Sequence, residues 1–286
     1  MVTVGIVSPG YMGAGLGWAL LKGGARVVAT LEGRSARTGR LAAGAGLEML
    51  PTLTEVVRAA DVLLSVTPPD RALAAAGSIA AAAREAGVTP LVADLNAVSP
   101  LTLAGVMARL DGLPLVDGSI SGPPPTATPG ARIYLSGPRA AEVAALPWAD
   151  QVEPVVLPGD PGAASALKMC TASVYKGLTA LVTQAMRTAD RHGVLDEVLA
   201  DLARNGLDSS ASVPRSATKA HRFVGEMREI AATQSGAGLT PALFEAFAAV
   251  YADIATTELA DADPESVRSR TPAETVALLS AAARGR

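Results

Sequence analysis

Short apolar runs alternate with alanine-rich stretches over the first half of the chain. Six runs rich in Val, Leu and Ile have the length of buried strands, at residues 2–7, 26–30, 47–50, 61–66, 90–94 and 114–118. Most of the segments between them can hold a helix. This order predicts a doubly wound, mostly parallel α/β sheet of the Rossmann type. Two further runs, 131–137 and 152–157, extend the same sheet.

The pattern changes after residues 157–162. From 163 to about 192 there is no proline and Gly177 is the only glycine, which predicts one long helix. Shorter helical patterns follow near 194–205, 214–234, 240–260 and 272–284, with breaks at 235–238 and 260–264. We therefore expect an α/β domain over residues 1–158 and an all-α domain over residues 159–286, joined by the long helix.

Composition narrows the classes of ligand. The 286 residues carry a net charge of -3 and 3% aromatic residues, without a run of Lys or Arg, which disfavours a nucleic-acid partner. One cysteine and two histidines give neither a disulfide nor a zinc cluster, so we expect no metal. No leader-like or membrane-spanning pattern is visible, so we expect a cytoplasmic protein with no membrane partner and a small-molecule ligand.

A glycine-containing segment directly follows the first predicted strand. Residues 8–13 read Ser-Pro-Gly-Tyr-Met-Gly, and Gly10 and Gly13 match the second and third glycines of a G-x-G-x-x-G fingerprint. A strand leading into a helix offers backbone N–H groups and the positive helix end to a pyrophosphate. The pattern predicts a dinucleotide site at Ser8, Pro9, Gly10, Tyr11 and Met12; an ordinary turn is the alternative. Ser8 and Pro9, which stand where Gly-x is expected, predict a changed turn shape and weaker or altered cofactor docking.

The end of the second predicted strand bears on the choice of cofactor. Glu32 stands where an acidic residue binds the adenosine ribose of NAD, whereas Arg34 and Ser35 suit the 2'-phosphate of NADP. We favour NADP over NAD because Gly33 allows the following pair to swing under the ribose. A solvated turn is the alternative for Glu32.

Three later loops carry polar groups at the carboxyl ends of predicted strands, where ligands bind in an open α/β sheet. Thr67 and Pro68 lie in the first of these loops, which we expect to contact the adenosine side of the cofactor. Asn96 lies in the second loop, and we expect it to hydrogen-bond the ribose or the nicotinamide. The run 117–130 is so rich in Ser, Gly and Pro that we expect neither helix nor central strand there. Its Ser119, Ser121 and Gly122 suit a carboxylate, with a surface crossover as the alternative.

Lys168 stands on an otherwise apolar stretch at the start of the long helix. If it faces the crevice, burial lowers its pKa and allows proton transfer at neutral pH; snorkelling to solvent is the alternative. Helical spacing places Ala172, Tyr175 and Thr179 on the same face. Cys170 is expected to be a core thiol.

Taken in order, these stretches resemble the motifs of the β-hydroxyacid dehydrogenase superfamily, which includes 3-hydroxyisobutyrate dehydrogenase, 6-phosphogluconate dehydrogenase and the imine reductases. The family patterns G-x-G-x-M-G, D-x-S-T-x-x-P, D-x-x-x-S-G-G and the G-x-x-G that precedes a lysine correspond to residues 8–13, 94–100, 117–123 and 159–168. Residues 166–177 and 221–233 are similar to a less-characterised branch with its own helical C-terminal domain.

The resemblance implies hydride transfer between a nicotinamide and a small hydroxy or keto acid, with Lys168 as general acid/base. It implies that Ser121 and Gly122 bind the substrate carboxylate and that Asn96 touches cofactor and substrate. Tyr175 and Ser119 are further candidates for substrate contact. It also implies a homodimer formed through the C-terminal domain.

Several positions depart from the family patterns. Ala172 replaces an asparagine, Pro123 the second glycine of the substrate loop, and Asn96 and Ala97 the Ser and Thr of an earlier motif. The substrate pocket is therefore expected to differ from that of the well-known acids. Imine reduction by the same fold, which commonly lacks the lysine, and a non-catalytic nucleotide-binding protein are the alternatives.

A charged helical stripe in the C-terminal segment allows two interpretations. Arg222, Glu226 and Glu229 share one helical face. They form either an ion-paired stripe or groups that reach the crevice across a dimer.

Overall fold

A computed structural model describes residues 1–126, 128–263, 266–267 and 269–281. The chain forms two compact units, Met1–Met169 and Cys170–Arg286. The division falls inside one helix, Ala163–Arg191, close to the bounds predicted for the long helix. The domain boundary expected after residue 158 stays a prediction.

The first unit is built on one eight-stranded sheet. Its strands are β1 (Thr3–Val7), β2 (Arg26–Ala29), β3 (Glu48–Met49), β4 (Val62–Ser65), β5 (Leu91–Asp94), β6 (Leu115–Ser121), β7 (Ala131–Ser136) and β8 (Val152–Val156). The strand order is β3-β2-β1-β4-β5-β6-β7-β8, and every pair is parallel except β6 with β7. The predicted Rossmann-type sheet is confirmed, and each predicted strand is present.

Helices cover both faces of this sheet. They are α1 (Tyr11–Lys22), α2 (Ala36–Gly44), α3 (Leu53–Ala59), α4 (Ala72–Ala86), α5 (Pro100–Arg109), α6 (Ala140–Ala144) and the beginning of α7 (Ala163–Arg191). Neighbouring strand residues belong to different cores: Val27 and Leu64 pack in one cluster, whereas Val28 and Leu63 pack in the other. Because successive strand side chains point to opposite faces, these near-continuous apolar strands are buried on both sides.

The expectation that the run 117–130 contains no central strand is wrong for residues 117–121. They complete β6, which lies between β5 and β7. Glycine is needed inside this strand, because a Cβ on Gly118 would lie 2.4 Å from Leu95 Cδ2. The polar residues of the strand are tolerated because they are hydrogen-bonded. The loop begins at Gly122, whose φ is +121°, and Ala127 lies outside the described residues.

The regular secondary structure of the second unit is helical over its described residues. It contains the rest of α7, then α8 (Leu195–Arg204), α9 (Val213–Ala217), α10 (Ala220–Gly236), α11 (Ala242–Ile254), α12 (Glu258–Asp261) and α13 (Pro272–Ser280). Two predicted helices, 214–234 and 240–260, are each divided by a short break. Residue 264 of the predicted break at 260–264, and residues 282–284 of the last predicted helix, lie outside the described residues. In the described part of the chain, every helix is too short or too polar to cross a membrane.

Candidate functional site

The turn after β1 has the backbone of a glycine turn although a serine occupies it. Ser8 has a φ of +71°, in the left-handed region that favours glycine. The N–H of Gly10 donates to the Ser8 carbonyl at 2.8 Å, and Gly10 is the N-cap of α1. The turn geometry that the missing first glycine would provide is therefore retained, at the cost of strain at Ser8.

Two glycines at this turn have different physical requirements. A Cβ on Gly13 would lie 2.5 Å from the Ser8 carbonyl oxygen, so this position needs glycine for the helix to pack against the turn. A Cβ on Gly10 would meet no protein atom within 4 Å. The space in front of Gly10 is open at the N-terminus of α1, where free N–H groups and the helix dipole favour a phosphate. Pro9 is buried beneath this turn, Ser8 and Met12 are half-buried, and Tyr11 is exposed.

In the loop after β2, Glu32 and Ser35 each accept a hydrogen bond from a backbone N–H in the first turn of a helix. The Glu32 carboxylate accepts from the Leu53 N–H at 3.3 Å, at the start of α3. Ser35 is the N-cap of α2 and its hydroxyl accepts from the Thr38 N–H at 3.3 Å. Arg34 is exposed beside it. The arrangement leaves a basic side chain and a helix N-terminus next to each other at this end of β2.

Asn96 is a connector between loops. Its side-chain oxygen accepts from the Thr67 N–H at 2.5 Å and the Thr67 hydroxyl at 3.3 Å. Its amide nitrogen donates to Asp94 at 2.8 Å and Ser65 at 3.2 Å. These four bonds use the whole hydrogen-bonding capacity of the amide, and the residue is 1% exposed. Asn96 therefore links its own loop to the loop that contains Thr67, and its contact with a ligand stays a prediction.

A buried polar row crosses four strands at one level. Ser65 on β4, Asp94 on β5, Asp117 on β6 and Ser136 on β7 are consecutive register partners. Both carboxylates are buried. The pKa of Asp94 is raised from its ordinary value to about 7, chiefly by burial; hydrogen bonds from Asn96 and Ser65 oppose the rise, and the charge of Asp117 contributes to it.

Asp117 anchors the start of α7. Its carboxylate accepts from the N–H groups of Gly162 and Ser165 at 2.8 and 3.0 Å and from the Ser165 hydroxyl at 2.7 Å. The Ser136 hydroxyl donates to the same carboxylate at 2.9 Å. A negative charge at a helix N-terminus is stabilising. Sequence reasoning misses Ser136 and Ser165; their only signal is a polar residue within an otherwise apolar run.

Lys168 points back to the end of β6. Its Nζ donates a 2.8 Å hydrogen bond to the Ile120 carbonyl, next to Ser121 and Gly122, and the contact is partly buried. Ser121 and Gly122 are exposed, whereas Ser119 is buried and its hydroxyl donates to the Ala164 carbonyl at 2.9 Å. The structure thus brings Lys168 together with the predicted substrate loop and assigns the Ser119 hydroxyl to an internal contact.

Two neighbours of Lys168 in sequence belong to the second unit. Tyr175 has its side chain 71% exposed, and its role in substrate binding stays a prediction. The expectation that Cys170 is a core thiol is wrong, because this residue is exposed on α7. A group of three or more His, Cys, Asp or Glu side chains able to hold a metal is not present within the described ranges.

The charged stripe of α10 is ion-paired in part. Glu226 is buried and forms ion pairs with Lys176 on α7 and with Arg222, the latter at 3.0 Å. Lys176 Nζ also lies 4.4 Å from the centre of the Phe223 ring. The ion-paired interpretation therefore holds for Arg222 and Glu226.

The fold and its first βα turn define a Rossmann-type α/β protein with a helical second unit. Comparison with known proteins narrows this class. The solved structure of the conserved protein MTH1747, of unknown function and described as similar to 3-hydroxyacid dehydrogenases, is 26% identical and covers 89% of this chain and 97% of its own, with a TM-score of 0.67. The chain has the 3-hydroxyacid dehydrogenase fold, and the predicted resemblance is confirmed.

More distant structures share this fold. The Mycobacterium tuberculosis 3-hydroxyisobutyrate dehydrogenase, solved with L-serine, is 21% identical, covers 94% of this chain and 98% of its own, and has a TM-score of 0.64. An imine reductase from Myxococcus stipitatus in complex with NAD⁺ is 17% identical, covers 89% of this chain and 92% of its own, and has a TM-score of 0.57. At these identities the likeness shows the fold alone.

Two further matches concern parts of the chain. A family model described as a domain of unknown function, DUF1932, matches residues 189–254. An uncharacterised 28.5 kDa protein from Methanothermus fervidus is 27% identical over 170 residues, which is 59% of this chain and 64% of that protein. The match to this relative therefore spans less than two thirds of its length.

Proposed function

We propose that the protein is an NAD(P)-dependent oxidoreductase that transfers a hydride between a nicotinamide and a small hydroxy or keto acid. The observation that carries the proposal is the Lys168 ammonium, held 2.8 Å from the Ile120 carbonyl at the end of β6. A proton-carrying group at that edge of the sheet lies where ligands of open α/β folds bind.

The residues of the first turn fit a dinucleotide. The open space before Gly10 and the N-terminus of α1 would take the pyrophosphate. Ser8, Pro9, Tyr11 and Met12 shape this turn. When bound, the nicotinamide would supply or accept the hydride.

We favour NADP over NAD as the cofactor. The Glu32 carboxylate is engaged by the Leu53 N–H, so it is less available to ribose hydroxyls. Arg34 and Ser35 flank the N-terminus of α2, and this pairing of a guanidinium with helix N–H groups suits a 2'-phosphate. Thr67 and Pro68 would line the adenosine side.

The chain's own residues would perform the proton transfer and hold the substrate. In its neutral form, Lys168 Nζ would accept the hydroxyl proton as the substrate carbonyl forms; in the opposite direction, the ammonium would return that proton to the carbonyl oxygen. Ser121 and the N–H of Gly122 would bind the substrate carboxylate. Ser119 and Asn96 would hold the surrounding loops through their internal hydrogen bonds, and Tyr175 is a further candidate for substrate contact.

Imine reduction is the second candidate, because imine reductases share the fold. We place it second because Lys168 is present at the position that typical imine reductases commonly fill with another residue. Whether alcohols or amines drive reduction of NADP⁺ separates the two.

We also propose a homodimer that forms through the helical unit, acts in the cytoplasm on carboxylate-bearing small molecules, and has neither nucleic acid nor membrane as partner. The support for the dimer is exposed apolar surface on α7. Val174 is 65% exposed and Leu181 is 56% exposed, and the two residues are seven positions apart on this helix. Analytical ultracentrifugation of the purified chain tests it.

A two-stage experiment tests the proposed function. Titration with NADH and NADPH by intrinsic fluorescence or calorimetry comes first, and a screen of small hydroxy acids for cofactor reduction follows. Binding with turnover supports the proposal. Binding without turnover of any acid or amine favours a non-catalytic nucleotide-binding protein, and absence of binding to either cofactor overturns the whole proposal.

A further inference from the structure

The helical unit contains an open cleft of about 310 Å³ between α7, α10 and the segment around α9. Its lining includes three cationic side chains and three serines: Lys176, Arg215, Lys219, Ser209, Ser212 and Ser216. All of them belong to the second unit. None of the functional residues predicted from the sequence except Tyr175 lines this cleft, and the comparisons assign nothing to it.

The charge of the cleft is positive. Among the described residues, no Asp or Glu lines it. The buried Glu226 pairs with Lys176 and with Arg222. Lys176 shares this carboxylate with Arg222, and Arg215 adds a further cation to the lining, so the lining carries a net positive charge. Such a site attracts an anion and raises its local concentration.

A buried hydroxyl at the cleft supports a polar ligand. Ser209 Oγ is buried and has no hydrogen-bond partner within the described part of the chain. Most buried hydroxyls in proteins are hydrogen-bonded, because a buried polar group loses its bonds to water and needs a partner in their place. An oxygen of a bound ligand would satisfy Ser209.

The remaining lining limits the size of the ligand. The Phe223 ring, which lies 4.4 Å from Lys176 Nζ, forms an apolar wall together with Tyr175. The volume is at the lower end of small-molecule pockets, which span roughly 300–1,000 Å³. Guanidinium, ammonium and hydroxyl donors together are the groups that bind carboxylate and phosphate oxygens.

From these observations we propose that the cleft is a binding site for the carboxylate or phosphate group of a small molecule. Arg215 and Lys219 supply charge, and Ser209 donates a hydrogen bond to an anion oxygen. Lys176 acts while paired with Glu226, which fixes its position. This binding does not depend on the proposed oxidoreductase activity and is measured without turnover.

Calorimetric titration of the full-length chain tests the site, with inorganic phosphate and malonate as separate probes at constant ionic strength. We expect saturable binding of at least one anion, weakened about tenfold by Arg215→Gln and by Ser209→Ala. Phosphate alone would identify a phosphate site, and malonate binding a carboxylate site. Arg204→Gln is the matched control, since Arg204 is an exposed arginine of the same unit, paired with Asp201, and we expect wild-type affinity.

Two further measurements separate the cleft from the first unit's phosphate-binding turn and from a loss of folding. Gly10→Ala obstructs that turn, so anion binding that survives this change arises elsewhere. Arg215 is exposed and Ser209 Oγ has no partner to lose, so neither change is expected to unfold the unit, which circular dichroism verifies. Failure of both anions to bind the wild type, or equal affinity in Arg215→Gln and Arg204→Gln, would overturn the proposal.

Discussion

Lys168 Nζ donates a 2.8 Å hydrogen bond to the carbonyl oxygen of Ile120. Lys168 is on α7, which Asp117 anchors through the N–H groups of Gly162 and Ser165. Ile120 and Asp117 belong to the same strand, β6. One strand therefore sets both the start of the helix and the position of its lysine, and this fixes the lysine beside the proposed substrate loop.

Replacing Lys168 by Met removes the proposed proton carrier and retains most of the apolar stem. We expect kcat to fall about 10²- to 10⁴-fold, the usual contribution of general acid–base catalysis. Affinity for NADPH should not change. Steady-state kinetics and calorimetry measure the two effects, with Lys22→Met, an exposed lysine at the end of α1, as control. Full turnover in the Lys168 variant would remove this residue from the mechanism.

Replacing Ser8 by Gly should stabilise the protein by about 0.5–1 kcal/mol. Ser8 has a φ of +71°, and glycine adopts this conformation without the strain of a Cβ, which outweighs its larger chain entropy. Urea denaturation measures the change in free energy of unfolding. Ser8→Ala, which keeps the Cβ, should not stabilise.

The same Ser8→Gly variant tests the effect of the serine on cofactor docking. We expect altered NADPH affinity, since the turn touches the proposed pyrophosphate site. An unchanged affinity would count against any influence of Ser8 on the cofactor.

The raised pKa of Asp94 predicts that the free energy of unfolding depends on pH. Burial raises its pKa to about 7 in the folded state, from 3.8. The folded chain then holds a proton that the unfolded chain releases, so the contribution of Asp94 to the free energy of unfolding is greatest below about pH 4 and is lost as the pH rises to about 7. The total change is on the order of a few kcal/mol, at about 1.4 kcal/mol per pKa unit.

Asp94→Asn removes this titration. Urea denaturation across the same pH range should therefore show the variant gaining stability relative to the wild type as the pH rises. Asp70→Asn, at an exposed position, should show no such trend. A difference between Asp94→Asn and wild type that stays constant with pH would contradict the raised pKa.

Arg34→Gln tests the choice of cofactor. If the Arg34 guanidinium binds the 2'-phosphate, NADPH affinity should fall about tenfold while NADH affinity is retained, since only NADPH carries that group. Calorimetry with both cofactors measures the difference. Arg84→Gln, at the C-terminal end of α4 and paired with Asp111, is the control. Equal losses for both cofactors would argue against a 2'-phosphate contact.

The sequence predicts the sheet well because its strands are buried on both faces and read as apolar runs. Every strand appears within a few residues of its predicted range. The pattern misses residues 119–121 of β6 because Ser119 and Ser121 lack apolar character; the place of Ser119 in the strand depends on a partner distant in the chain, Ala164. Such long-range contacts leave no local signal.

The predicted site residues stay predictions, although their local geometry is on view. Gly10, Gly13 and Lys168 follow from local motifs, and the structure gives each a geometry that suits its predicted role. The place of Asn96 after a strand predicts ligand binding, but its hydrogen bonds commit it to Thr67 and Asp94. A strand-end position identifies the crevice, while the direction of each side chain depends on its neighbours.

The most direct test of the central claim is calorimetric titration of NADPH and NADH into the wild type and Gly10→Ala. A Cβ at Gly10 meets no protein atom within 4 Å, so the variant should keep the wild-type melting temperature. The added Cβ would project into the proposed pyrophosphate site, and we expect the affinity for the cofactor to fall at least about tenfold. Equal affinity in the two proteins, or no binding of either cofactor to the wild type, would contradict a dinucleotide site at this turn.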